Sequence, residues 1–236
     1  MPLPDAHTGL APRADTGAED TLELRITAEL RALFQEEAPT PRHGATPPEP
    51  LGRPADWQPV ATPAGAFQLV PVRPERDLAT ISRWMNDPVV AAFWELAGDE
   101  SVTARHLASQ LDGDGRSIPC LGVLSGTPMS YWEIYRADLD PLARHYPARP
   151  HDTGVHLLIA EGHRGRGTGT TLLRAVAGLV LDHLPLCTRI VAEPDLRNVP
   201  SVSAFLSAGF RFSAEVDLPE KRAALMIRDR AHRTRP

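Results

Sequence analysis

The sequence predicts an α/β (α+β) domain built on a mixed, mostly antiparallel sheet of about six to seven strands with helices on both faces. Three observations lead there. Residues 153–160 form a near-continuous apolar run, as in a strand buried on both faces, and a Gly-rich segment and a helical pattern follow at once. Short strand-like runs elsewhere are joined by tight turn signals, which only antiparallel neighbours allow. Helical periodicities separate the remaining runs.

Residues 1–63 stand apart as a Pro-rich N-terminal extension. They hold 11 of the 24 prolines, and residues 38–63 read as an extended linker. Within the extension Leu22, Ile26, Leu30, Leu33 and Phe34 recur at helical spacing behind Asp20-Thr21, which predicts an amphipathic helix near 20–36. Residues 64–236 are the predicted folded domain. Phe67 to Arg73 alternates as a strand, and Pro71, with no N–H for a ladder, assigns it to an edge. Residues 75–85 read as a helix that stops before Asn86-Asp87-Pro88, and a second helix covers about 102–111. Cys120 to Leu124 and Met129 to Tyr135 are strands around the turn Ser125-Gly126-Thr127-Pro128. After the 153–160 strand, Thr170 to Leu184 is a helix with Leu172, Leu173, Val176, Leu179 and Val180 on its inner side. Arg189 to Glu193 is a further buried strand, and Pro200 to Ala208 is a short helix ended by Gly209. Phe210 to Val216 and Ala223 to Ile227 form a closing antiparallel pair.

Composition narrows the class. No apolar run approaches the roughly 18 residues that cross a bilayer. The N-terminus lacks the basic patch and apolar stretch of a secretion signal. A soluble, cytoplasmic protein is expected, a monomer or homodimer without a membrane partner. The net charge of −5 argues against a nucleic-acid partner. Cys120 and Cys187 lie outside any metal or redox spacing, so they are predicted as buried free thiols, and no metal site is expected. The basic stretch from Arg228 to Arg235 reads as a solvated tail.

The chemistry centres on residues 163–170, His-Arg-Gly-Arg-Gly-Thr-Gly-Thr. A Gly-rich turn feeding a helix directs successive backbone N–H groups at one point, and the helix N-terminus adds partial positive charge. Together they suit a phosphate. Arg164 and Arg166 offer charge-assisted hydrogen bonds. No Gly-Lys-Ser/Thr follows, and the spacing Arg164-x-x-Gly167-x-Gly169 is too tight for a dinucleotide fingerprint.

This spacing between a strand and a helix resembles the coenzyme A pyrophosphate loop of the GCN5-related N-acetyltransferases. Asn198, Phe205 and Gly209-Phe210 fall where that superfamily often has Asn, Tyr and Gly-Phe; the Tyr, its proton donor to the departing thiolate, is replaced by Phe205. Further phrases resemble the siderophore-biosynthesis branch, which acylates N-hydroxylysine, N-hydroxyornithine or N-hydroxycadaverine. They are Trp84-Met-Asn-Asp-Pro with Phe93-Trp94, Pro128-x-x-Tyr131-x-Glu133-x-Tyr135, Asp140, Tyr146, Asp152-x-Gly154-x-His156, Glu193-Pro-Asp195-x-x-Asn198, and Lys221-x-Ala-x-Leu-Met. The likeness covers about residues 67–230. Arg136 departs from it, standing where the branch commonly has an aromatic.

The resemblance implies a GCN5-related acyltransferase fold and an acyl-CoA co-substrate, acetyl-CoA or succinyl-CoA. That co-substrate would lie against Leu158, Ile159, Arg164, Gly165, Arg166, Gly167, Thr168, Gly169, Thr170, Asn198 and Phe205. It also implies that Asp195 and His156 engage the hydroxylamine. Asp195 is the expected general base, with His156 orienting the nucleophile or sharing its proton. A backbone N–H around Leu157–Ile159 is expected to meet the oxyanion. Trp84, Asn86, Trp94, Tyr131 and Glu133 are the candidate acceptor-binding residues, and Lys221 could hold a substrate carboxylate. By pattern alone, a His on an apolar strand, an Asp at a strand end and buried aromatics also fit plain structural roles. Two other readings share the loop: an aminoglycoside N-acetyltransferase, with Glu133, Asp140, Asp152 and Asp195 as carboxylates, and a non-catalytic acyl-CoA-binding protein.

Overall fold

The computed structural model describes residues 51–232. The helix predicted near 20–36 lies outside the described residues. The strands are β1 (Val60–Thr62), β2 (Gly65–Pro71), β3 (Ser117–Leu124), β4 (Thr127–Arg136), β5 (Thr153–Ile159), β6 (Arg189–Ala192), β7 (Arg211–Asp217) and β8 (Arg222–Asp229). They form one eight-stranded sheet in the order β1-β2-β3-β4-β5-β6-β8-β7. Every neighbouring pair is antiparallel except β5–β6. The helices are α1 (Pro74–Met85), α2 (Pro88–Trp94), α3 (Glu100–Leu111), α4 (Thr168–His183) and α5 (Val199–Ser207).

Alternation along the strands divides the apolar residues between two faces. Cys120, Trp132 and Val155 join Leu172, Val176, Val180 and Phe205 of α4 and α5. Their neighbours Leu121, Tyr131 and Leu158 join Ile81, Met85, Val90 and Leu107 of α1, α2 and α3. Helices therefore cover both faces, as the sequence predicts. Both cysteines are buried and free.

Three local expectations change. Residues 51–63, read from their prolines as linker, fold onto the domain. Leu51 and Trp57 are buried in the core, and Trp57 stacks on His183 with ring centroids 5.0 Å apart. Their strand β1 is too short for alternation to register, which is why the sheet has one strand more than predicted. Pro71 then sits in a strand with two neighbours, but β1 pairs only with Gly65 to Phe67. Val72 N–H reaches Pro119 O on β3, so position 71 faces the side where β1 has ended. The proline is at an edge locally. Finally, Asp87-Pro88, read as a stop, also starts α2: Asp87 accepts from Val89 N at 2.9 Å and Pro88 takes the first turn, where no N–H is needed.

The basic C-terminal stretch is partly structural. Arg230 donates to Leu184 O and Cys187 O beyond the end of α4, at 2.7 and 2.8 Å, and Arg228 donates to Ala208 O. No helix among the described residues is long and apolar enough to cross a membrane.

Candidate active site

The crossover opens the site. β5 and β6 pair only over Thr153↔Ile190 and Gly154↔Val191. β5 runs on to Ile159 while β6 stops at Ala192. From Val155 onward β5 keeps β4 on one side and has no strand on the other. Peptide groups facing that gap are left for water or a ligand. Beyond β5 the chain turns through Gly165 and Gly167, both at positive φ (86° and 73°), a conformation that a Cβ disfavours. α4 then begins at Thr168 with no side-chain cap, so its first N–H groups face outward with the positive end of the helix dipole.

A cavity of about 600 Å³ is lined by Gly165, Gly167, Thr168, Gly169 and Thr170 of this turn, by Leu158 and Ile159 of β5, and by Arg164 and Asn198. Nine of the predicted acyl-CoA residues thus share one cavity. Its apolar walls, helix N-terminus and open strand edge fit a long thioester with a phosphate at one end. Two predicted residues do not line it. Arg166 is exposed, and Phe205 packs edge-on against Phe210, bordering the next cavity instead. Arg164 also braces the end of β5 against the start of α2. Its Nε donates to Ile159 O at 2.7 Å and its Nη2 to Asp87 Oδ2 at 2.8 Å, and the ion pair lowers the Asp87 pKa.

A second cavity, about 450 Å³, adjoins the first through Phe93, Trp94, Leu157, Asn198 and Ser201, which line both. It holds His156, Asp195, Glu133, Glu193 and Lys221. The strand register explains this grouping. Tyr131↔Leu158, Glu133↔His156 and Tyr135↔Gly154 are cross-strand partners, so these side chains share one face. His156 Nδ1 meets Glu133 Oε2 at 2.8 Å, and its Nε2 meets Glu193 Oε1. Tyr131 OH donates to Glu133 Oε1 at 2.9 Å and Tyr135 OH to Glu193 Oε2 at 2.8 Å. His106 of α3 reaches Glu133 Oε1 at 2.6 Å, and Lys221 Nζ lies 3.7 Å from Glu193.

Burial alone would lower the His156 pKa, but Glu193 and Glu133 outweigh it and raise it to about 10. Burial likewise works to raise both glutamates, and the cations beside them outweigh it, so both are lowered. His156 is therefore an imidazolium bridging two carboxylates. Asp195 stands apart. It accepts from Arg197 N at 2.7 Å and from Arg197 Nη2 at 2.6 Å, and that guanidinium lowers its pKa. The residue is 6% exposed, and the lowered pKa keeps its carboxylate ionised.

The predicted acceptor residues divide. Trp94 and Glu133 line the second cavity, and Trp94 sits edge-on to His156 with centroids 6.1 Å apart. Tyr131 is fully buried beneath it and acts on Glu133. Trp84 and Asn86 are not in its lining. Trp84 belongs to the α1–α3 core. Asn86 staples the end of α1 to Gly98 through paired hydrogen bonds of 2.9 and 3.0 Å. His106 and the bridging role of Glu193 are additions that the sequence pattern does not reveal.

Gly154 makes room for this network, because a Cβ there would lie 2.0–2.4 Å from three carbons of the Tyr135 ring. Gly154→Ala is expected to destabilise the fold by about 1–3 kcal/mol, the usual cost of overpacking. It should also cut activity by displacing Tyr135 from Glu193. Thermal denaturation and an acyl-transfer assay check both; an unchanged variant would mean that the ring moves freely.

Residues 73–218 match the acetyltransferase (GNAT) domain family. The chain is 38% identical over 168 residues to a lysine N-acyltransferase, MbtK, of Mycobacterium sp. (strain MCS), covering 71% of this chain and 68% of that one. It is 37% identical over 160 residues to an N(6)-hydroxylysine O-acetyltransferase of Escherichia coli, covering 67% of this chain and 50% of the relative. Among solved structures, an uncharacterised protein of Bacillus halodurans superposes with a TM-score of 0.71 at 31% identity, over 78% of this chain and 93% of that one. An aminoglycoside acetyltransferase, AAC(6')-Ib, in complex with coenzyme A and kanamycin, gives 0.62 at 26% identity, over 70% and 95%. By its split β5–β6 pair, its glycine turn and the matched family model, the chain belongs to the GNAT acetyltransferases and is an N-acyltransferase.

Proposed function

We propose that this enzyme moves the acyl group of acetyl-CoA or succinyl-CoA onto the hydroxylamine nitrogen of a hydroxylated lysine, ornithine or cadaverine. The product is a hydroxamate for siderophore biosynthesis. One observation carries the reading: a carboxylate-rich cavity opens directly onto the acyl-CoA cavity, with an ionised Asp195 in its wall and no phenol at position 205. The names of relatives support it: a lysine N-acyltransferase, an N(6)-hydroxylysine O-acetyltransferase and an N-hydroxyputrescine acetyltransferase.

A hydroxylamine nitrogen is less basic than a primary amine, so it attacks the thioester carbonyl as the neutral species without prior deprotonation. As the C–N bond forms, the carbonyl electron pair moves to oxygen, facing a backbone N–H of β5 near Leu157–Ile159. The nitrogen becomes acidic and Asp195 takes its proton. A weak base suffices because that proton is easily lost. Collapse breaks the C–S bond. Phe205 offers no proton to the sulfur, but a thiolate leaves readily without one. His156, with both ring nitrogens engaged, acts by holding Glu133 and Glu193 in place and does not take the proton itself.

Mass spectrometry tests this with acetyl-CoA and succinyl-CoA against N6-hydroxylysine, N5-hydroxyornithine, N-hydroxycadaverine, lysine and kanamycin. The expected product comes from the hydroxylamines and gives a coloured iron(III) complex, as a hydroxamate does. An O-acyl ester, which lacks that complex, would move the transfer to oxygen. Acetylated kanamycin without hydroxamate would favour the aminoglycoside reading, and acyl-CoA binding without any product the non-catalytic one.

A further inference from the structure

A third cavity, about 520 Å³, meets the acceptor cavity at His156, Glu133 and His106, which line both. His156 is about a third exposed, so the two spaces are separated by a low wall of side chains. The third cavity contains no residue that lines the acyl-CoA cavity. It therefore leads away from the thioester. Its wall carries charges of both signs, notably Arg116 and Asp140.

Asp140 lacks an ion-pair partner among the described residues, and Arg116, though paired with Asp114, keeps unused donors. Asp140 Oδ1 accepts from Leu142 N at 2.9 Å, and among the described residues Asp140 forms no ion pair. Burial pushes its pKa up and Glu193 adds to the push, while His156 and Arg116 pull the other way from a distance. A cation beside it would relieve that cost. Arg116 is half exposed. It holds Asp114 through Nε and Nη2 and Leu139 O through Nη1, which leaves guanidinium N–H groups for another acceptor.

We propose that this cavity takes the α-amino-acid end of the acceptor, with Asp140 facing its ammonium and Arg116 its carboxylate. The methylene chain crosses His156, and the hydroxylamine end sits with Asp195. The preferred acceptor is then a hydroxylated amino acid and not a hydroxylated diamine. The inference rests on the proposed hydroxylamine acylation and adds what reads the far end of the acceptor.

The test compares kcat and KM for three acceptors: N6-hydroxylysine, N-hydroxycadaverine, which lacks the carboxylate, and 6-(hydroxyamino)hexanoate, which lacks the ammonium. The enzymes are the wild type, Arg116→Met, Arg116→Lys and Asp140→Asn; Asn keeps the cap on Leu142. The wild type is expected to favour hydroxylysine over hydroxycadaverine by about tenfold or more in kcat/KM, the worth of one charged hydrogen bond. Arg116→Met should erase that preference and Arg116→Lys keep part of it. Asp140→Asn should raise KM for the two ammonium-bearing acceptors and spare the hexanoate, with kcat retained. Equal wild-type use of hydroxylysine and hydroxycadaverine would overturn the proposal. So would variants that slow all acceptors alike or change none. No hydroxamate from any acceptor with any enzyme would instead overturn the parent reading.

Discussion

An Asp195→Asn enzyme is expected to form hydroxamate about 10²–10⁴-fold more slowly than wild type, the range over which a positioned base accelerates proton transfer. The KM for acyl-CoA should stay within a few-fold. Asn is the informative replacement because it keeps what Asp195 does for the fold. Its side-chain oxygen can still accept from Arg197 N, which closes the turn before α5. It cannot take a proton. Arg197 holds the Asp195 pKa below the ordinary range, so the carboxylate stays ionised well below neutral pH. The fall of kcat/KM toward acid should therefore follow protonation of the hydroxylamine substrate, and acceptors of different basicity should shift it. Single-turnover rates from pH 5 to 9 check both points. Asp195→Asn within a few-fold of wild type would remove Asp195 as the base.

What the sequence made legible follows from how local each cause is. The glycine turn was readable because positive φ at Gly165 and Gly167 restricts the residue type at those positions. The β4 face was readable as Tyr131-x-Glu133-x-Tyr135, since alternate residues of a strand share a side. His106 was not. A histidine on a helix of mixed polarity looks the same whether it faces water or Glu133, and the partner lies 27 residues away. Glu193 follows a buried strand, and only Tyr135, 58 residues earlier, and Lys221, just before β8, make it part of a site. Trp84 and Asn86 are a third case. They belong to a recognisable phrase, and in the fold they make a core contact and a staple to Gly98. A motif marks positions under constraint without saying which constraint acts.

That distinction matters most at His156, where structure and function are hardest to separate. Removing the imidazolium leaves Glu133 and Glu193, each under a tenth exposed, with no cation between them. A buried ion pair that loses one partner costs about 3–5 kcal/mol; because His156 is about a third exposed, solvent screening reduces the expectation for His156→Gln to about 2–4 kcal/mol. Its pH dependence identifies the cause. The His156 pKa is raised from 6.5 to about 10, so its contribution is complete below about pH 6.5 and is lost as pH rises through about 10. The glutamates are lowered from 4.5, so theirs is present above about pH 4.5 and is lost as pH falls through their folded values. The cluster is thus worth most between about pH 4.5 and 6.5, and the stability gap between wild type and His156→Gln should narrow steadily from pH 6.5 to 10. Denaturant titrations at pH 6, 8 and 10 measure it, and a gap independent of pH would mean lost packing rather than lost charge. Adding Glu193→Gln to His156→Gln should restore part of the stability, because the repulsion between the two buried carboxylates is then gone. It should not restore activity, since the neutral pair no longer fixes the wall that the acceptor crosses.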